Sequence, residues 1–289
     1  MTSKVWFITG TSKGFGRVWA EAALARGDRV AATARDVSTL KSLVEKYGDR
    51  VAALALDVTD KAAAHTAITA AHARFGRLDV VINNAGYGLF GAIEEVSEAE
   101  ARAQMETNLF GALWVTQAAL PILRAQGSGH IIQVSSIGGI SAFPTIGLYH
   151  ASKWALEGFS QSLAAEVAAH GIKVTLVEPA GFATDWSGPS AQRATPLPAY
   201  DAARAAVAAF RSGNKPGDPD ATGEAILKVV DAKDPPLRVF FGTVGLPMAR
   251  TEYARRIELW EKWQDVASLA QGDLAAKQAA LGNQGATGG

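Results

Sequence analysis

Seven short runs of apolar, β-favouring residues recur along the chain, separated by segments long enough for helices. The runs are Lys4–Thr9 (KVWFIT), Arg29–Ala34 (RVAATA), Val51–Leu56 (VAALAL), Leu78–Asn83 (LDVVIN), His130–Ser135 (HIIQVS), Lys173–Glu178 (KVTLVE) and Leu237–Gly242 (LRVFFG). Most are continuously apolar rather than alternating, which is the pattern of strands covered on both faces. The intervening segments are alanine-rich, Ala62–Arg74 and Ala151–Ala169 among them. Such alternation requires right-handed crossovers. The expected fold is therefore α/β, with about seven parallel strands in one doubly wound sheet and helices on both faces.

The 289 residues lie near the upper end of what one hydrophobic core serves, and no linker divides them, so a single domain over 1–289 is expected. Regularity loosens over about 180–235, a Pro-, Ser-, Ala- and Gly-rich stretch that would form a substrate loop and helical region. Residues 249–269 read as an extra helix with Tyr253, Ile257, Trp260 and Trp263 along one face, expected to pack on the sheet. The small polar residues from about 280 to 289 are expected to be a disordered tail. Formal net charge is zero and no basic block exists, which argues against nucleic acid or a membrane surface as partner. Cysteine is absent, so disulfides and thiolate metal sites are excluded together. The apolar N-terminal segment is too short for a signal peptide, and no run is long enough to span a bilayer. A cytoplasmic protein is expected.

The first strand ends in ITGTSKGFGR, Ile8–Arg17, and two chemistries compete for that turn. Gly10-Thr11-Ser12-Lys13-Gly14 satisfies G-x-S-x-G, the nucleophile elbow of hydrolases, with Ser12 as nucleophile. The same glycines suit a phosphate seat. Gly10 would make the sharp turn, and Gly14 and Gly16 would let backbone approach an anion at the start of the next helix. A triad also needs a histidine base and a carboxylate. His65, His72, His130, His150 and His170 fall in or at the ends of expected helices or at a strand start, and no pair stands at i and i+4 to hold a metal. The phosphate seat is the stronger reading, within a Rossmann-type sheet whose ligands sit beyond the strands' carboxyl ends.

More motifs follow in order. They are T-G-x-x-x-G-x-G at Thr9–Gly16, LDV at Leu56–Val58, NNAG at Asn83–Gly86, TNLFG at Thr107–Gly111, the serine of VSS at Ser136, and Y-x-x-x-K at Tyr149–Lys153. Singly each is weak; together, at successive strand ends, they are specific. From about Val5 to Thr184 the chain resembles the short-chain dehydrogenase/reductase family.

Tyr149 and Lys153 stand one helical turn apart and share a face. A free phenol has a pKa of about 10. A neighbouring ammonium favours phenolate, so an acidity shifted towards neutral pH is expected for Tyr149. It would protonate a carbonyl oxygen as hydride arrives, or deprotonate an alcohol in reverse. The resemblance implies that Lys153 also holds the nicotinamide ribose and that Ser136 hydrogen-bonds the substrate oxygen. It implies too that Asn108 positions a proton-relaying water. By the same resemblance Gly10, Ser12, Lys13, Gly14, Phe15 and Gly16 line the diphosphate, and Asp57 and Val58 border the adenine. Asn84, Ala85 and Gly86 would approach the adenine side and its ribose. Where the family has P-G-x-x-x-T this chain has Pro179-Ala180-Gly181-Phe182-Ala183-Thr184. Pro179, Phe182 and Thr184 are the nicotinamide contacts this implies, with Ala180 in place of a glycine.

An acidic residue ending the second strand holds the ribose of NAD. Here Ala34 occupies that position and Arg35 follows, a guanidinium suited to a ribose phosphate, with Lys13 as a second cation. Asp36 dissents, but can cap the helix that begins DVSTL. NADP (as NADPH) is the expected cofactor, with NAD as the alternative. Tyr87, Phe90, Phe143, Leu148 and Trp186 are candidate pocket residues and, with Phe182, suggest an apolar ketone, aldehyde or alcohol as substrate. The expected activity is NADPH-dependent carbonyl reduction. The alternatives are an NAD-dependent hydroxysteroid-type alcohol dehydrogenase, a Ser12 hydrolase, and a non-catalytic dinucleotide sensor. Small residues along the helix from Ala151 suit close packing between copies, and the family implies a homodimer or homotetramer.

Overall fold

The computed structural model describes residues 3–188, 190–212 and 215–273; the tail expected from about 280 lies outside them. All seven expected strands form within two residues of their sequence limits. In chain order the strands are β1 (Val5–Ile8), β2 (Arg29–Ala34), β3 (Val51–Ala55), β4 (Val80–Asn83), β5 (Leu89–Phe90), β6 (Gly129–Val134), β7 (Ile172–Pro179), β8 (Gln192–Arg193) and β9 (Arg238–Phe241). Seven of them pair in parallel in the order β3-β2-β1-β4-β6-β7-β9. The chain leaves β1 in one direction and returns to β4 on its other side. This reversal opens a crevice at the strands' carboxyl ends, between β1 and β4. The two-residue strands β5 and β8 form a separate parallel ribbon.

The helices are α1 (Gly14–Arg26), α2 (Lys41–Tyr47), α3 (Lys61–Phe75), α4 (Glu98–Met105), α5 (Gly111–Gln126), α6 (Gly147–Val167), α7 (Asp201–Ser212), α8 (Thr222–Asp231), α9 (Gly245–Lys262) and α10 (Gln264–Gln271). Strand β1 shows why its run is apolar throughout. Val5 and Phe7 join the core layer under α3, α5 and α6, whereas Trp6 and Ile8 join the layer under α1, α2 and α8. Both large indoles still satisfy their N–H groups, Trp6 on Asp28 Oδ2 at 2.9 Å and Trp19 on Thr222 Oγ1 at 2.8 Å. Asp60 caps α3, accepting from the backbone of Ala62 and Ala63 at 2.8 and 3.0 Å.

The chain divides into two compact units, Met1–Leu246 and Pro247–Gly289. The first holds the sheet and the candidate site. In the second, the single helix expected over 249–269 is two, α9 and α10, separated at Trp263. The expectation that its aromatic stripe is packed away is corrected. Tyr253, Ile257, Trp260 and Trp263 are all exposed, Trp260 to 62%. Amphipathic spacing records that one face is apolar, not what covers it. No helix among the described residues is long and apolar enough to cross a membrane.

Candidate active site

The turn after β1 is built by backbone. Gly10 and Gly14 take φ of +69° and +58°, a region that residues with a Cβ rarely enter. A Cβ on Gly16 would stand 2.6 Å from Asn84 Nδ2 and closer still to the Gly10 carbonyl, whereas one on Gly14 would meet nothing within 4 Å. The first finding shows why the helix can start so close beneath the turn, and the second shows open space above it. Asn84 ties β4 to this turn, its amide donating to the carbonyls of Thr9 and Gly10 at 2.8 and 3.0 Å. Thr9 Oγ1 accepts from the backbone of Asn84 and Ala85, each at 2.9 Å. Gly86 is exposed beside them. These residues fit a dinucleotide: a glycine cradle, the N-terminus of α1, and an exposed backbone edge at the reversal of the sheet. Ser12 is exposed and, among the described residues, hydrogen-bonds no histidine. His130 faces Thr175 in the core and His150 is held by Gly138 and Phe143, so the elbow reading has no base.

Asn108 lies on a π-helical turn, Glu106–Phe110, between α4 and α5. Its Oδ1 accepts from Tyr87 N at 3.1 Å, and its Nδ2 donates to Tyr87 O at 3.0 Å and Ser152 Oγ at 3.2 Å. The extra residue of a π turn changes the direction of the helix face, and such turns concentrate at functional sites. A Cβ on Gly86 would lie 3.0 Å from Asn108 Oδ1 and 3.8 Å from Lys153 Nζ, so both groups converge on that glycine. Lys153 donates to Val134 O at 2.7 Å and stands 5.8 Å from the centre of the Tyr149 ring. Ser136 caps a short 3₁₀ turn by accepting from Gly138 N at 3.0 Å, and its side chain acts on the Tyr149 phenol in the direction of lower pKa. The structure therefore gathers Tyr149, Lys153, Ser136 and Asn108, from one helix, one loop and one π turn, at the edge of the crevice.

Electrostatics correct one expectation. Burial pushes the Tyr149 phenol up to about 12, against a smaller lowering by the Ser136 side chain. Burial also brings Lys153 down to about 8, opposed by the charge of Glu157. At neutral pH the site holds a neutral phenol beside an amine that is still largely an ammonium. That is a proton donor rather than a phenolate.

On the substrate side, Phe90, Tyr149 and Trp186 pack with Ile146 and Ala191. The Trp186 ring lies 4.8 Å from that of Tyr149 and 5.4 Å from that of Phe90. A Cβ on Gly88 would strike the indole at 2.6 Å. Sequence reading missed Gly88, Ile146 and Ala191; the glycine in YGLF is the one signal that could have suggested a ring pressed against backbone. Of the other pocket candidates, Tyr87 is held at its backbone by Asn108, and Leu148 is half-buried on the first turn of α6. Phe143 packs on His150, at 5.4 Å, instead of joining the aromatic group.

The loop after β7 is fastened to the glycine turn. Phe182 meets Phe15 edge-on at 5.1 Å, and Phe15 stacks on Trp19 at 5.4 Å, so both phenyl rings serve packing. Thr184 caps the short turn Asp185–Ser187. Asp185 lies 3.5 Å from Lys13, and both side chains of this pair remain exposed beside the glycine turn. Pro179 ends β7 buried, and Ala180 donates to Phe241 O at 3.0 Å without needing a glycine's conformations. At the end of β2, Arg35 is exposed and forms no ion pair among the described residues. Asp36 accepts from Ser38 N at 2.9 Å and caps the turn that follows. Asp57 closes its own turn onto Thr59, and buried Val58 packs under Gly111.

This fold and this site define a nicotinamide-dependent oxidoreductase. The family model described as short chain dehydrogenase matches residues 4–195, and the chain belongs to that family. It is 45% identical over 272 residues to "Oxidoreductase BOA17" of Botryotinia fuckeliana, covering 93% of this chain and 99% of that protein. A short-chain dehydrogenase from Streptomyces avermitilis superposes with a TM-score of 0.87 at 39% identity, covering 93% of this chain and all of the other. Two further solved relatives hold cofactor. One from Burkholderia phymatum is complexed with NAD (TM-score 0.77, 25% identity, 89% and 95% coverage). One from Burkholderia cenocepacia is complexed with NADP (0.72, 27%, 90% and 97%).

Proposed function

We propose that this oxidoreductase uses NADPH to reduce an apolar ketone or aldehyde to the alcohol, and that Tyr149 donates the proton. The observation that carries the reading is the buried, neutral Tyr149 phenol, beside Ser136 and one turn before Lys153. When bound, the reduced nicotinamide supplies the hydride to the carbonyl carbon. Ser136 and Tyr149 orient the carbonyl oxygen, Tyr149 passes its proton to that oxygen as charge develops there, and the Lys153 ammonium stabilises the phenolate left behind. Trp186, Phe90 and Ile146 exclude water and offer an apolar wall. Asn108 fixes Tyr87 and, with it, the Gly86 backbone facing Lys153.

The preference for NADPH rests on Arg35, an exposed guanidinium free of an ion pair, next to an Asp36 engaged as a cap. A ribose phosphate would be met there by a bidentate donor. We place the enzyme in the cytoplasm as a homodimer or homotetramer, with Ala151, Ser162 and Ala165 on the exposed face of α6. Light scattering that returns a monomer at micromolar concentration would end the proposal of an assembly. The decisive test of function is NADPH oxidation against a panel of apolar carbonyls with Tyr149→Phe as control. Turnover by the parent and loss in the variant is the expected result; equal turnover in both would overturn the assignment.

A further inference from the structure

Behind the site, two carboxyl groups meet in the core. Glu157, one turn after Lys153 on α6, and Glu178, immediately before Pro179 on β7, have side chains exposed to only 8% and 1%. Arg238 of β9 reaches both, its Nε standing 2.9 Å from Glu157 Oε2 and 3.6 Å from Glu178 Oε1. Its Nη2 is turned outward onto Gln161 at 2.9 Å. One guanidinium cannot balance two buried carboxylates. Glu157 Oε1 and both oxygens of Glu178 have no donor, and neither do the neighbouring hydroxyls of Ser135 and Ser160 find a partner. The space that a side chain at Gly139 would fill is bounded by Ser135 Oγ and Glu157 Oε1, on the underside of the loop that carries Ser136. The cluster thus touches the three elements that hold Ser136, Lys153 and Pro179.

We propose that Glu157 and Glu178 hold a single proton between them, and that the one negative charge left on the pair is the positioning element that keeps the Lys153 side chain an ammonium beside Tyr149. Two like charges in contact inside a core cannot both persist, and a shared proton gives each unpaired oxygen a role as donor or acceptor. Among the described residues, the charged groups facing Glu157 are Arg238 from β9, Glu178 from β7 and Lys153 on its own helix; the turn after β6 contributes the neutral Ser135. Burial and the Glu157 charge push the Glu178 carboxyl up to about 8, with Arg238 opposing, so the proton stays at neutral pH. The Glu157 charge in turn resists the loss of the Lys153 proton that burial promotes.

The inference rests on the reading of Lys153 as the amine of the active site, but its readouts do not require turnover. The test follows the side-chain NMR signal of Lys153, assigned with Lys153→Met, through a pH titration of the full chain. Glu157→Gln lowers the Lys153 midpoint by about one pH unit, the size of one lost charge at this range. Glu178→Gln carries an amide donor where the proton sits and leaves the midpoint at or above that of the parent. In the NADPH assay the alkaline limb of kcat moves with the midpoint in each variant. An unmoved midpoint in Glu157→Gln, or equal falls in both variants, overturns the proposal. Where a variant does not fold, infrared spectroscopy of the parent decides. A buried protonated carboxyl band is expected at pH 7 and is lost as the pH passes about 8; absence of the band overturns the shared proton. Failure of the functional reading looks different: no carbonyl is turned over, while the lysine titration and the infrared band are still read.

Discussion

At the end of β1 side chains have little say. Gly16 is excluded from having one by the Gly10 carbonyl and Asn84, Gly10 and Gly14 bend where a Cβ rarely goes, and β4 is stitched on through Thr9 and Asn84. Beyond β7 the reverse holds. The segment proposed to face the substrate is kept in place by side chains from distant parts of the chain. Trp186 lies on Tyr149, Asp185 pairs with Lys13, Tyr200 bonds Glu94, and Arg204 bonds Glu95. The nucleotide half is fixed by sterics that admit one kind of residue. The substrate half is fixed by contacts that many residue combinations could make, and so it can change its ligand without disturbing its neighbour.

The sharpest way to break this division is Tyr149→Phe. It removes the proton donor alone, so kcat should fall by about 10³-fold while dinucleotide affinity, measured by fluorescence titration, holds. A parallel loss of affinity would show that the halves are not separable. Next in size is Gly16→Ala, whose methyl group cannot be placed without moving the turn. A stability loss of about 3 kcal/mol in urea unfolding is expected, together with loss of dinucleotide binding. Gly14→Ala, strained only by its φ, should cost about 1 kcal/mol; equal costs for the two would contradict the close approach seen at Gly16. Arg35→Glu should raise the KM for NADPH about 10- to 100-fold and leave that for NADH nearly unchanged. Equal changes in both would remove the argument for NADPH.

Two smaller effects sharpen the contrast. Glu178 is raised from 4.5 to about 8, so the folded chain keeps a proton that the unfolded chain has released. This group's contribution to stability is therefore fully present below pH 4.5 and is lost as pH rises through about 8. Urea midpoints taken across that window should fall with pH in the parent and flatten in Glu178→Gln. Smallest is Trp186→Ala, which forfeits ring contacts worth about 1 kcal/mol. Amide exchange should quicken over 182–217 and stay unchanged along β1, β4 and α1. Faster exchange throughout the sheet would mean that the substrate side is no appendage.

The same contrast explains what could be read from the sequence. The seven strands were legible because each must be apolar on both faces, and the glycine turn because its backbone admits no substitute. Tyr149, Lys153, Ser136 and Asn108 were legible as motifs, and the structure gathers them. Their acidities were not. A spacing of four residues places an amine near a phenol but says nothing of how deeply both are buried, and burial is what pushes Tyr149 up. The pairing of Lys13 with Asp185 was not legible because the two residues lie far apart in the chain. The ribbon of β5 and β8 escaped because two residues carry no periodicity. The aromatic stripe of α9 misled because a hydrophobic face does not name its partner.

That ribbon has a practical consequence. The segment after β7 is joined to β5 through just two residues of β8, with Gln192 and Ala194 donating to Gly88 and Phe90 at 3.0 and 2.8 Å. Main-chain bonds of this sort are indifferent to side-chain identity, so a segment exchanged between relatives keeps these two anchors and needs only its side-chain contacts to Tyr149, Lys13, Glu94 and Glu95 matched. A graft that keeps the two anchor points would redirect the choice of carbonyl and leave the coenzyme preference where it was.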